Sequence, residues 1–221
     1  MDTLRAGRYV GGGEGNSFLE YEGSDVDSVY QLLKVLHVMS FVFMSVPLFN
    51  LIVVNERALM GPAFNYATDR YMENLIRHGA TRCFVFQTSV LVTGVLLLVL
   101  GPLGVSALWT NGILLAKTIL LFVLTGLLSH VHLKLQPRIE ALLAPLGPAS
   151  ALPEGLAAQL KPSRVRRKRL ATFCLFIVIT TIILGLQVFG RFHLALNVVL
   201  IGAAALFAWR VNKTLVRFGW V

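Results

Sequence analysis

The sequence predicts an all-α integral membrane helical bundle with five transmembrane helices, its N-terminus outside and its C-terminus inside. Three observations carry this expectation. Of the 221 residues, 56% are hydrophobic and only 14% charged, whereas soluble domains carry roughly 25% charged residues. The stretches 35–55, 83–116, 118–133, 170–190 and 192–209 contain no Lys, Arg, Asp or Glu. A helix needs about 20 mainly apolar residues to cross a hydrocarbon core of roughly 30 Å. The remaining charges are sorted by sign along the chain.

The first span is expected at about 29–54. The stretch 83–116 is too long for one helix and is interrupted by Gly101, Pro102 and Gly104. These residues punctuate helices, so the second span is placed near 82–101 and the third near 107–131. The fourth covers about 170–189, and the fifth about 192–209 after a tight Gly190-Arg191 turn. Helices of this length satisfy their own backbone groups in lipid. The alternation of a membrane barrel is missing.

Orientation follows from the basic residues. The segment 1–29 holds six acids and two bases, whereas the loop 134–169 nets +6. The loop 55–82 nets +1, and the C-terminal end adds three bases and no acid. With five spans, the basic segments fall on one side, which is the positive-inside pattern. The domain reading is therefore an acidic, Gly-rich external tail at 1–28, a membrane bundle at 29–213 with its basic cytoplasmic loop at 134–169, and a tail at 214–221. The tail has no signal-peptide pattern, and residues 11–17 read as flexible. Residues 68–82 suit a surface helix capped by Thr68, and 145–162 reads as a linker.

The run Arg164, Arg166, Arg167, Lys168 and Arg169 is expected to face anionic lipid headgroups. It has no accompanying nucleic-acid motif. Cys83 and Cys174 read as reduced packing residues, because two isolated cysteines form no metal motif.

Polar residues inside a span are costly and point to function. His37 lies eight residues from Val29, and Lys117 ten from Ala107. At 1.5 Å per residue both sit roughly 12–15 Å deep, in one layer of the bundle. Lys34 is one turn from His37 on the same helix face, and Met44 two turns away in the other direction. A neutral imidazole in an apolar bundle suits an axial ligand of haem iron, with lysines pairing its anionic propionates. The competing reading of His37 is an ordinary interhelical hydrogen bond, and Lys34 has the option of snorkelling outward. A second axial position could be filled by Met44, Lys117 or another residue, or stay open. No two-histidine ligand pair falls in one layer.

The segment Leu33-Lys34-Val35-Leu36-His37-Val38, continued by Leu48-Phe49-x-Leu51, resembles the first helix of the HemJ-type protoporphyrinogen IX oxidases and the related copper-resistance D-like membrane proteins. Arg77 and Arg82 before Thr93-Gly94-Val95-Leu96, then Trp109 and Lys117 leading to His130, extend the resemblance over about residues 30–132. The family's Asn-Glu-x-Pro signature is absent from the fourth helix. The resemblance implies b-type haem on His37 and a functional role for Lys117. The candidate set is thus His37 as the metal ligand, Lys34 and Met44 beside it for cofactor binding, and Lys117 and Lys34 as catalytic cations.

The leading functional expectation is a bacterial inner-membrane protein that binds haem b and is redox-linked, through porphyrinogen oxidation or electron exchange with a quinone. The alternative is a cofactor-free accessory or scaffold subunit of a larger membrane complex. Other membrane subunits or a second copy of the chain are the partners either reading allows. A proton-coupled carrier is disfavoured, because no Asp or Glu lies in any expected span.

Overall fold

In the computed structural model, residues 16–56, 66–147, 155–188 and 190–213 are described, with side chains from residue 27 onward. Helix α1 runs Asn16–Glu56 and α2 Tyr66–Leu100. A single turn, α3 (Ala107–Thr110), precedes α4 (Gly112–His130), a π-helical turn (Val131–Leu135) and α5 (Gln136–Leu143). Helices α6 (Leu156–Gly185) and α7 (Leu194–Lys213) complete the order. Five helices are long and apolar enough to cross a membrane, counting α4, the π turn and α5 as one. This is the all-helical, multi-pass architecture expected from composition.

Helix α6 is the axle of the bundle. It packs against α1, α4 and α7, while α2 lies along α1. Met44, Leu48 and Ile52 of α1 meet Cys83 of α2, Leu124 of α4 and Ala171, Leu175, Ile177 and Val178 of α6. Outward faces stay apolar; Val35, Val38, Val85, Phe122 and Val198 are all exposed. In water such surfaces would be a liability, but lipid is as apolar as the side chains themselves.

Helix bounds differ from expectation where charge or proline was read as a break. The surface helix expected at 68–82 is the first part of α2, continuous with its apolar half. The linker expected at 145–162 is replaced, from Leu156 onward, by the start of α6, which runs through Pro162. That proline removes one hydrogen bond, but Leu156 and Leu160 bury against Ile139, Leu143 and Leu146 in a second apolar cluster. The third expected span begins later than 107, at Gly112, because the Asn111 side chain accepts from the Ile113 amide at 3.0 Å and caps α4. It also runs past 131. The Gln136 amide reaches back to the Val131 carbonyl across the π turn, just ahead of Pro137, whose ring is crowded by a regular preceding turn. The extra residue turns Gln136 inward, where it is 3% exposed. Residues 16–28 of the expected external tail are the first turns of α1, which therefore begins well before the expected 29; residues 1–15 and the expected tail at 214–221 lie outside the described residues.

Between α2 and α3 the chain turns sharply at Gly101, and the Tyr30 ring of α1 fills the space a side chain would need. A Cβ there would stand 2.7 Å from Tyr30 Cε2 and collide with the Leu97 carbonyl. We expect Gly101→Ala to destabilise the bundle by about 1–3 kcal/mol, read as a lower thermal midpoint in detergent. An unchanged midpoint would show that this junction is free to relax.

Candidate functional site

Two polar sites interrupt the apolar interior. The first is built on His37. Its Nδ1 lies 2.9 Å from Thr93 Oγ1. That hydroxyl already donates its single hydrogen to the Ser89 carbonyl at 2.6 Å, so its lone pairs face the ring. The hydrogen bond to His37 therefore runs from Nδ1–H to Thr93, and the Nε2 lone pair stays available for a ligand. This is how metal-bound histidines are usually held, with the remote nitrogen oriented by a second group.

Gly94 follows Thr93 on α2. A Cβ at Gly94 would come within 3.3 Å of His37 Cε1, so the absent side chain makes room for the ring. Lys117 of α4 is close enough for its charge to act on the imidazole, and its Nζ lies 3.6 Å from where a Cβ on Gly185 of α6 would stand. Lys117 makes no hydrogen bond or ion pair to any described residue. The site thus combines a histidine held by Thr93 with an ammonium group that has no hydrogen-bond or ion-pair partner among the described residues.

The other expected members do not join it directly. Lys34 lies over the Tyr30 ring, 4.4 Å from its centroid, a cation–π contact. Met44 is buried, only 2% exposed, in the helix core. Seven residues from His37 on one helix is about 10 Å of axial separation, too far for the two side chains to flank one iron. The remaining described histidines stand apart, with His78 Nδ1 against the Asn74 carbonyl and His132 edge-on to Phe84. Among the described residues, no three His, Cys, Asp or Glu side chains come together as a metal site.

The second polar site was not foreseen. Arg164, Arg167 and Lys168 turn into the bundle, where they are 6%, 0% and 2% exposed. Arg167 Nε donates to Asn55 Oδ1 at 2.7 Å, and its two terminal nitrogens reach Glu73 at 2.7 and 3.0 Å and Gln136 at 2.6 Å. Arg164 bridges Asp69 at 2.9 Å and Glu73 at 3.1 Å, and Lys168 pairs with Glu56 at 3.2 Å. Three cations meet three carboxylates, so the formal charges cancel. Of the five basic residues expected at lipid headgroups, only Arg166 and Arg169 remain exposed. The physical reason is the supply of acids from the end of α1 and the start of α2, which compensates the cost of burying three cations.

No family model matches the chain, and neither a curated protein nor a solved structure matches it.

Proposed function

We propose that this is a redox-linked multi-pass membrane protein that holds b-type haem through His37, in the manner of the HemJ-type and copper-resistance D-like proteins its first three spans resemble. The observation that carries the reading is the His37–Thr93 hydrogen bond, which leaves the Nε2 lone pair for a ligand, with Lys117 lacking a partner among the described residues. His37 Nε2 would hold the haem iron, Thr93 would orient the ring, and Lys117 would offer a cation to a propionate or to an anionic substrate. Haem iron supplies one-electron exchange when bound, which suits porphyrinogen oxidation or electron exchange with a quinone.

The chain's setting in this proposal is a bacterial inner membrane, N-terminus out and C-terminus in. The concentration of Lys and Arg in 55–82, 134–169 and the C-terminal end supports that orientation. Arg166 and Arg169 are the cations left to face anionic headgroups.

The test is a reduced-minus-oxidised absorption spectrum of the protein purified from haem-replete cells. A Soret band that disappears in His37→Ala is expected. A colourless parent protein, or a band unchanged in His37→Ala, rejects haem at His37; a colourless protein recovered in a stoichiometric complex supports the scaffold alternative.

A further inference from the structure

Between α1, α2, α4 and α6 lies an apolar cavity of about 60 Å³, walled in part by Cys83 and Cys174. It runs from Met44, Gln87 and Leu124 at one end to Leu51, Ile76 and Val131 at the other. Seven residues of α1 and of α4, at 1.5 Å each, make it about 10 Å long. Gln87 is the one amide side chain in the wall. It is 5% exposed, and its Nε2 lies 3.9 Å from Cys83 Sγ. The Cys83 S–H is directed at the Met44 carbonyl, 3.8 Å away, so the sulfur is left to accept from the amide. Gln87 Oε1 is buried with no partner among the described residues.

The bore and the orphan oxygen together narrow the occupant. A volume of this size holds about four to six water-sized groups, and spread over about 10 Å these lie in single file. An aromatic ring needs a rounder and larger space, since benzene enters a cavity of about 150 Å³. A file of waters would need two to four polar partners each, and the aliphatic wall supplies almost none. A methylene chain suits both the bore and the wall. An acceptor left unpaired in apolar surroundings costs the desolvation of that group, so the fitting chain brings a donor to Gln87 Oε1. It brings no charge. One turn beyond the Ile76 end stand Glu73, Arg167 and Asn55, which already bond to one another.

We propose that this cavity binds an unbranched, uncharged alkyl chain that carries a hydroxyl group. The O–H donates to Gln87 Oε1, and the methylenes run along the aliphatic wall towards Ile76 and Val131. Binding makes and breaks no covalent bond. Apolar burial alone gives such a chain no preference for the cavity, because lipid tails are as apolar as the wall. The hydroxyl does, because the hydrocarbon core offers it no partner and Gln87 does. A hydroxylated acyl chain of a membrane lipid and a free long-chain alcohol share this chemistry. The site does not rest on haem at His37, whose partner Thr93 lies six residues beyond Gln87 on α2.

The test is photolabelling of the full chain, in nanodiscs of saturated phosphatidylcholine, with 3-azioctanol and 7-azioctanol, which carry a diazirine near to and far from the hydroxyl. Mass spectrometry should find saturable label from the first beside Gln87, at Cys83 or Leu124, and from the second nearer Ile76 and Val131. Unlabelled 1-octanol should displace the label about 10-fold more effectively than 1-methoxyoctane, which keeps the chain and the oxygen but has no O–H to donate. That comparison needs no variant. In Gln87→Leu the two competitors should become equal, and His37→Ala should label as the parent does, so a failure of the haem reading leaves this result intact. Displacement by a phospholipid with a 12-hydroxystearoyl chain, and not by its stearoyl counterpart, assigns a lipid chain; displacement by free 1-octanol alone assigns a free alcohol. Label that does not saturate, equal displacement by 1-octanol and 1-methoxyoctane in the parent, or a preference for 1-octanol that survives Gln87→Leu, overturns the site.

Discussion

Replacing Arg167 by alanine is expected to cost about 3–5 kcal/mol of stability, the range seen when one partner of a buried ion pair is removed. The side chain is fully buried and touches α1, α2 and α5 through Asn55, Glu73 and Gln136. Without it, Glu73 keeps Arg164, but one carboxylate oxygen and two amides lose their charged donor in a place water does not reach. Arg167→Lys should recover only part of the loss. An ammonium group is a compact point charge and cannot reproduce the planar fork that serves three partners at once. Arg167→Met combined with Glu73→Gln should be milder than Arg167→Ala alone, because it removes charge from both sides. Thermal unfolding of the purified variants in matched detergent checks the series. A loss below about 1 kcal/mol for Arg167→Ala would be the value of an exposed pair and would show that the network is hydrated.

That network marks the limit of what could be read along the chain. Five apolar stretches separated by charge were enough for five membrane-length helices, because hydropathy is summed locally. The same local summation assigned Arg164 to Arg169 to a solvated loop and started the fourth span at 170. The partners that let α6 begin at Leu156 lie 91 to 112 residues away, and segment-by-segment charge totals hide them. Counted by loop, Glu56, Asp69 and Glu73 were part of a segment netting +1; in the fold they are the counter-charges of α6. Depth counting grouped His37 with Lys117 by starting the third span at 107; α4 begins at Gly112, so the count for Lys117 is five residues instead of ten. Along the chain Thr93 stood out only as part of the Thr93-Gly94-Val95-Leu96 resemblance. Its role at the imidazole needs the approach of α1 to α2 at Gly94, which spacing within either helix does not contain. Met44 shows the converse. It shares a helix face with His37, yet its axial distance places it at the cysteine cavity instead.

Because Thr93 donates to its own backbone and accepts from His37, the proposed haem site predicts that Thr93→Val weakens haem binding by about 10–100-fold, the usual effect of deleting a group that orients a metal ligand. Valine keeps the shape and the β-branch while removing the oxygen. The ring then loses the acceptor that holds the proton on Nδ1, and the proton can shift to Nε2, which blocks the ligand position. Thr93 is a positioning residue in this account, so the readout must move with ring orientation and not with folding alone. Thr93→Ser restores the hydroxyl and should return most of the affinity, while Thr93→Val should keep the thermal midpoint of its haem-free form close to that of the parent. The decisive measurement is haem titration of apoprotein followed at the Soret band for the three proteins. Equal affinity in all three would detach Thr93 from the site and leave the His37 contact as simple helix packing. A serine variant as weak as valine would instead assign the effect to the lost methyl group.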